Sequence, residues 1–228
     1  TLVISERGPH HTVYQRVTVE ADEDGNTISR TNSAYTEIET GMNVRQPDGS
    51  YLEASAEIEI TAEGAVARHA QHKVVFPASL FNGVITLTTP EGVILRSRPT
   101  LLSYFDGQNS VRLADLKEST GYLLPSGNQV IYPDTFSGGI KADVILTFTK
   151  AGFEADVVFR GKLPDSPEHF GLVGDSCRLQ LLTEFFDTDA PVKEAESVRD
   201  GLGDSRLRFG SMAMVRGMVF SVGTQGQT

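Results

Sequence analysis

The chain reads as all-β: a large antiparallel β-sandwich, or two packed β subdomains, with at most one short helix over residues 191–200. Three observations predict this. Apolar and polar side chains alternate over many short runs, clusters of Gly, Asn, Asp and Pro punctuate those runs, and the chain holds 22 glycines. Alternation with period two marks a strand with one buried face. Turn signals about every 8–12 residues mark a sandwich or barrel. A glycine inside a helix costs about 1 kcal/mol relative to alanine, so this composition disfavours helices.

Taken in order, residues 12–20 alternate through Val13, Gln15, Val17 and Val19, and residues 56–61 place Ile58 with Ile60. Short β-rich runs follow at 73–76, 84–88, 93–98, 101–105, 111–116 and 121–124. The clearest hairpin begins at Lys141. Ala142, Val144, Leu146 and Phe148 point one way, against Asp143, Thr147 and Thr149, with Ile145 out of pattern. Lys150, Ala151 and Gly152 turn the chain, and Phe153, Ala155, Val157 and Phe159 return on one face. Residues 178–186 form a long strand, and 212–222 close the chain with a hairpin at Arg216 and Gly217. Between the runs, Asp24-Gly25-Asn26, Pro47-Asp48-Gly49, Asn82-Gly83, Pro90-Glu91-Gly92, Asp106-Gly107 and Ser126-Gly127-Asn128 have the chemistry of tight turns.

The helical candidate starts with Pro191 in the first turn after Asp189 and runs through good formers to a stop at Gly201. The segment is short and mostly polar, so an exposed excursion between two strands is the preferred reading. The organisation expected is one domain over residues 1–228, with a seam near 125–128 if there are two subdomains.

Composition excludes several classes. Apolar runs are only a few residues long, as in Val74-Val75-Phe76, too short for a membrane-spanning helix. With 30 acidic and 20 basic residues and a net charge of −10, a nucleic-acid partner is not expected. The single Cys177 excludes an internal disulfide and a cysteine-based zinc cluster. Its alternation with Leu179 and Leu181 reads as a small buried hydrophobe. The first residue is Thr1 with no leader pattern behind it, as expected of a processed or excised piece.

Catalytic motifs are missing: no Gly-x-Ser-x-Gly elbow, no GxGxxG opening a helix, no P-loop. Neither His10 and His11 nor His69 and His72 share a strand face, and no carboxylate completes a zinc set. Asp22, Asp24 and Asn26 resemble the opening of a calcium loop, but Thr31 stands where the pattern needs Glu. Asp143, Glu154 and Asp156 fall on the polar face of the hairpin, where solubility is their default role. Tryptophan, the preferred sugar platform, is absent. The ligand-binding candidates are therefore His69, His72, Tyr132, Asp134 and Tyr104, with no cofactor and no metal beyond the weak calcium candidates.

The stretch Asn128-Gln129-Val130-Ile131-Tyr132-Pro133-Asp134-Thr135-Phe136-Ser137-Gly138-Gly139-Ile140-Lys141-Ala142-Asp143-Val144, with Gly152-Phe153-Glu154-Ala155-Asp156-Val157-Val158, resembles a β-rich segment of large bacterial surface proteins, some with YD/Rhs-type repeats. The likeness covers about 35 residues, and the opening run from Ile4 to His11 is similar to an N-proximal segment of that kind. The resemblance implies an extracellular or cell-surface module and transfers no catalytic residue. Physically, Pro133 holds Tyr132 extended, Asp134 accepts backbone N–H bonds and Gly138-Gly139 reverses the chain. The expectation is a non-catalytic structural or interaction sandwich of a secreted or surface-anchored bacterial multidomain protein. Its partners would be neighbouring domains of the same polypeptide, a glycan or another surface protein. The alternative is a carbohydrate-binding or carbohydrate-active sandwich of mutarotase- or lyase-like shape, and a cytosolic enzyme fragment is the third reading.

Overall fold

The computed structural model describes residues 1–197, 203–215 and 217. The strands run β1 (Leu2–Gly8), β2 (His11–Ala21), β3 (Thr27–Ile38), β4 (Asn43–Arg45), β5 (Tyr51–Glu53), β6 (Ile58–Thr61), β7 (Gly64–Ala67), β8 (Lys73–Phe76), β9 (Ile85–Thr88) and β10 (Ile94–Phe105). They continue as β11 (Ser110–Asp115), β12 (Tyr122–Leu123), β13 (Gln129–Tyr132), β14 (Ala142–Thr149), β15 (Gly152–Phe159), β16 (Arg178–Phe186), β17 (Val192–Ser197), β18 (Gly203–Phe209) and β19 (Met212–Met214). Two 3-10 turns, Pro167–Phe170 and Gly174–Ser176, are the only helical segments among the described residues. The fold is all-β, its sheets are antiparallel, and none of them closes into a barrel.

The chain divides into two compact units, Thr1–Phe186 and Asp187–Thr228. In the first, β6 to β10 form an antiparallel meander whose partners put Ile58, Ala67, Val74, Leu87 and Leu95 in one cross-strand row. All five are buried, so this row is the floor of the core. A second sheet, β12-β13-β14-β15, turns Ala142, Val144, Leu146 and Phe148 inward, each with no exposed surface. The two sheets stack in a sandwich-like arrangement. Phe76 meets Phe153 edge-on at 5.7 Å and His72 lies 5.0 Å from Phe148. Backbone bonds tie the edges, from Ile58 N–H to Gly127 O and from Gly121 N–H to Ala78 O, both 2.8 Å. Burying a Leu, Val or Phe side chain contributes about 1.5–3 kcal/mol, so these rows carry the cohesion of the unit.

Tyr132 joins the two sheets by both ends. Its ring has no exposed surface, and its O–H donates to the Pro77 carbonyl at 2.6 Å. A Cβ on Gly121 would come within 2.7 Å of that ring, so only glycine lets the chain pass there.

Strand β10 differs from the sequence expectation, which broke it into 93–98 and 101–105. It runs unbroken through Pro99. On one edge β16 pairs along it from Arg96 to Phe105. On the other edge β9 ends at Ser97 and β11 begins at Leu101. Proline, which has no N–H, falls in the gap between two neighbours and at a register shift, where the ladder asks for no donor.

Neither the candidate helix over 191–200 nor a bare excursion is formed where the residues are described: 192–197 is strand β17, paired antiparallel with β18. Glu194 takes two bonds from Arg208 across the pair, at 2.7 and 3.1 Å. Cross-strand pairing outweighs the mild helix propensity of Lys, Glu and Ala. Residues 198–200, the stop at Gly201 and most of the closing hairpin at 216–222 lie outside the described residues. Residues 125–128 form the tight turn between β12 and β13, closed by Gly127 N–H to Leu124 O.

Removing the Tyr132 hydroxyl tests this bridge. Tyr132→Phe keeps the ring but strands a buried carbonyl, so it is expected to cost about 1–3 kcal/mol, read as a lower urea midpoint at unchanged slope.

Candidate functional site

The polar corner that joins β13 to β14 collects more charged groups than any other place described here. Tyr132 ends β13, and the chain turns through Pro133 and Asp134, whose φ of +50° is a left-handed conformation rare outside glycine. Thr135 Oγ1 donates to Tyr132 O, and Ser119 Oγ to Pro133 O. Asp143, the second residue of β14, accepts the Asp134 N–H at 2.7 Å. It is buried, which departs from the solvent-facing role expected of it. Lys117, just after β11, places Nζ 2.7 Å from Asp134 Oδ2. Arg160, just after β15, spans both carboxylates, 3.4 Å from Asp134 and 3.1 Å from Asp143.

The corner's chemistry follows from this pairing. The hydrogen bond from Lys117 holds the Asp134 carboxyl below the usual carboxylate range, aided by the charges of Lys117 and Arg160. A general acid needs a carboxyl displaced upward. Among the described residues, every carboxylate with a displaced titration, Asp22, Asp48, Glu59, Glu91, Asp106, Asp134, Glu168 and Glu194, is displaced downward by hydrogen bonds. Two cations and two carboxylates here satisfy one another and fix a strained turn, which is an architectural role.

The other candidates stand apart from this corner. His69 Nε2 lies 2.7 Å from Glu59, and Arg68 pairs with the same carboxylate. His72 is buried against Phe148. Burial pushes its pKa down, opposed by a hydrogen bond with the Gly152 backbone, while its Nε2 has no partner. Tyr104 is buried and donates to Asp165 O at 3.2 Å, with Phe170 at 6.3 Å. Beside it, Arg112, Leu113, Ile140, Leu163, Asp165 and Phe170 line a depression of about 130 Å³. Sites that enclose organic ligands usually measure ~300–1,000 Å³. Asp22 caps its own hairpin tip, accepting from Asp24 N–H, Asn26 N–H and Asn26 Nδ2. Asp22's oxygens are thus taken up by the turn, and Asp24 meets them only through its backbone N–H. Among the described residues no group of three or more His, Cys, Asp or Glu side chains is placed to hold a metal ion. Cys177 is half-exposed at the start of β16.

The structure thus scatters His69, His72, Tyr104, Tyr132 and Asp134, and gives Tyr132 and Asp134 a shared corner but opposite surroundings. Sequence reasoning missed Lys117, Arg160 and Asp143 as partners of Asp134, because they come from three segments that alternation alone does not bring together. No protein-family model, curated protein or solved structure matches this chain.

His72 makes a pH prediction. Its folded pKa lies below the unfolded one, so the unfolded state takes the proton first. Stability is fully present above the ordinary histidine value of about 6.5 and falls as pH drops below it. Urea melts across that pH range are expected to show this slope in the native chain and a shallower one in His72→Gln. Equal slopes would remove His72 from the account.

Proposed function

We propose that this chain is a non-catalytic structural and interaction module of a secreted or surface-anchored bacterial multidomain protein. The observation that carries the reading is that its charged corner is closed on itself: Asp134, Asp143, Lys117 and Arg160 bond one another and leave no group poised for proton transfer. The residues that a sugar site would need do not meet. His72 and Tyr132 lie in the core, and His69 is engaged by Glu59. The extracellular setting rests on the surface-protein resemblance of residues 128–144 and 152–158. No helix among the described residues is long and apolar enough to cross a membrane. What the unit does present outward is β-sheet, above all β1 to β3, which suits contact with protein.

Two measurements test this. A thermal-shift series with mono- and oligosaccharides and with Ca²⁺ is expected to leave the melting temperature unchanged, since a bound ligand raises it by mass action. A saturable shift with a sugar, lost in His69→Ala or Tyr104→Phe, would establish the carbohydrate reading instead. Protease added to intact cells of the source bacterium is expected to cleave the protein. Protection until lysis would contradict the surface setting.

A further inference from the structure

Strands β1, β2 and β3 form a three-stranded sheet whose last strand pairs with no other strand on its outer edge among the described residues. All twelve residues of β3 are exposed, and the strand contains neither lysine nor proline, the usual guards of an open edge. The sheet also shows Leu2, Val3, Ile4, Val19, Ile28, Tyr35 and Ile38 to solvent. Exposed apolar sheet with an unpaired edge of this length calls for a covering strand.

The direction of each β3 residue follows from the neighbouring bonds. Val17 exchanges both backbone bonds with Thr1, at 2.9 and 2.8 Å, so it faces β1. In an antiparallel ladder Thr31, opposite Val17, then turns its N–H and C=O outward, and Ser29 and Ser33 do the same. Beyond the bulge at Ala34, Glu39 N–H bonds His10 O at 3.0 Å. Glu37 therefore also faces β2, which leaves Thr36 and Ile38 turned outward.

The geometry points to a second copy of this chain as the covering strand: two β3 edges pair antiparallel about a two-fold axis between Ser33 and Ala34. That register sets Thr31 opposite Thr36 of the partner subunit and Ser29 opposite Ile38 of the partner subunit, all with outward backbone groups. It also sets Arg30 opposite Glu37 of the partner subunit, and Glu37 opposite the partner's Arg30. Arg30 and Glu37 share a face of the sheet, because their β2 partners Thr18 and Thr12 are an even number of residues apart. They fall at non-hydrogen-bonded positions, where facing Cα atoms approach to about 4.5 Å and side chains interact most closely. Within the chain each has a loose partner: Arg30 is 3.7 Å from Glu20, and Glu37 accepts a 3.3 Å bond from Tyr14. The three strands carry three Arg and three Glu, so the sheet is neutral although the chain carries −10. Two copies of it meet without the repulsion of the acidic remainder. The two Ala34 bulges lie on the axis, and the ladder forms on either side of them. This pairing goes beyond the proposed module function and does not rest on where the protein works.

Sedimentation velocity and light scattering of the full chain, between about 1 and 100 µM, test the pairing. A concentration-dependent dimer is expected. Arg30→Glu or Glu37→Arg alone places like charges opposite each other at both ends and is expected to weaken the dimer at least about tenfold. The double variant Arg30→Glu/Glu37→Arg restores opposite charges and the dimer. Thr31→Pro deletes an N–H that no described strand of the same chain uses, so it is expected to abolish the dimer while circular dichroism and melting stay native. A monomer at every concentration, a dimer indifferent to the single reversals, or a folded double variant that stays monomeric overturns the proposal. If a reversal unfolds the chain, Thr31→Pro decides: a folded variant that still dimerises overturns it.

Discussion

The first unit depends on one contact, that between its two stacked sheets, made where Phe76 meets Phe153 and His72 meets Phe148. Ala142, Val144, Leu146 and Phe148 bring no polar side-chain atom to the core, and Ile58, Ala67, Val74, Leu87 and Leu95 are apolar and buried as well. The hydrophobic gain is non-directional, so it does not by itself choose one stacking. Direction comes from the few polar groups that cross the boundary. The Tyr132 hydroxyl has one acceptor, and the backbone bonds at Gly121 and Ile58 each have one place to go. An unmet buried donor or acceptor costs more than a met one gains, so these bonds fix the register of one sheet on the other.

The same economy explains the charged corner. The left-handed turn at Asp134 is held by its N–H on Asp143, and burying the Asp143 carboxylate requires a cation beside it. Arg160 supplies that cation and also reaches Asp134, while Lys117 neutralises the remaining charge. These four groups are paired with one another rather than left single. The distinction is electrostatic: catalytic carboxylates are kept unpaired or displaced upward, whereas these are paired and Asp134 is displaced downward.

Strands with one buried face were legible, because their burial writes period two into the sequence. β8 and β16 match their expected limits, and the β14–β15 hairpin appears with β14's expected inward set buried, while Ala155 of β15 is exposed. Five of the expected turns sit at hairpin tips, while Asn82 and Gly83 fall in the longer link between β8 and β9. β3 was not legible for the complementary reason. It buries no side chain, so Thr27 to Ile38 carries no alternation to read. Pro99 misled because its usual meaning is a break, and only the arrangement of β9, β11 and β16 around β10 shows where a missing N–H does no harm. Among the candidate residues, Asp134 was recognisable as a turn former, but its partners lie 17, 9 and 26 residues away along the chain. His72, a ligand candidate, sits buried just before β8 against Phe148, its Nε2 without a partner, at a position that side-chain alternation alone does not reveal.

Native-state hydrogen exchange addresses the stacked-sheet core most directly. If the two sheets form one cooperative unit, the amides of β7, β8, β13 and β14 exchange last, with a common opening free energy that falls together on adding urea. Exchange of β13 and β14 at a rate independent of β7 and β8, or slowest protection in β2 and β3, would contradict a core built on that single contact.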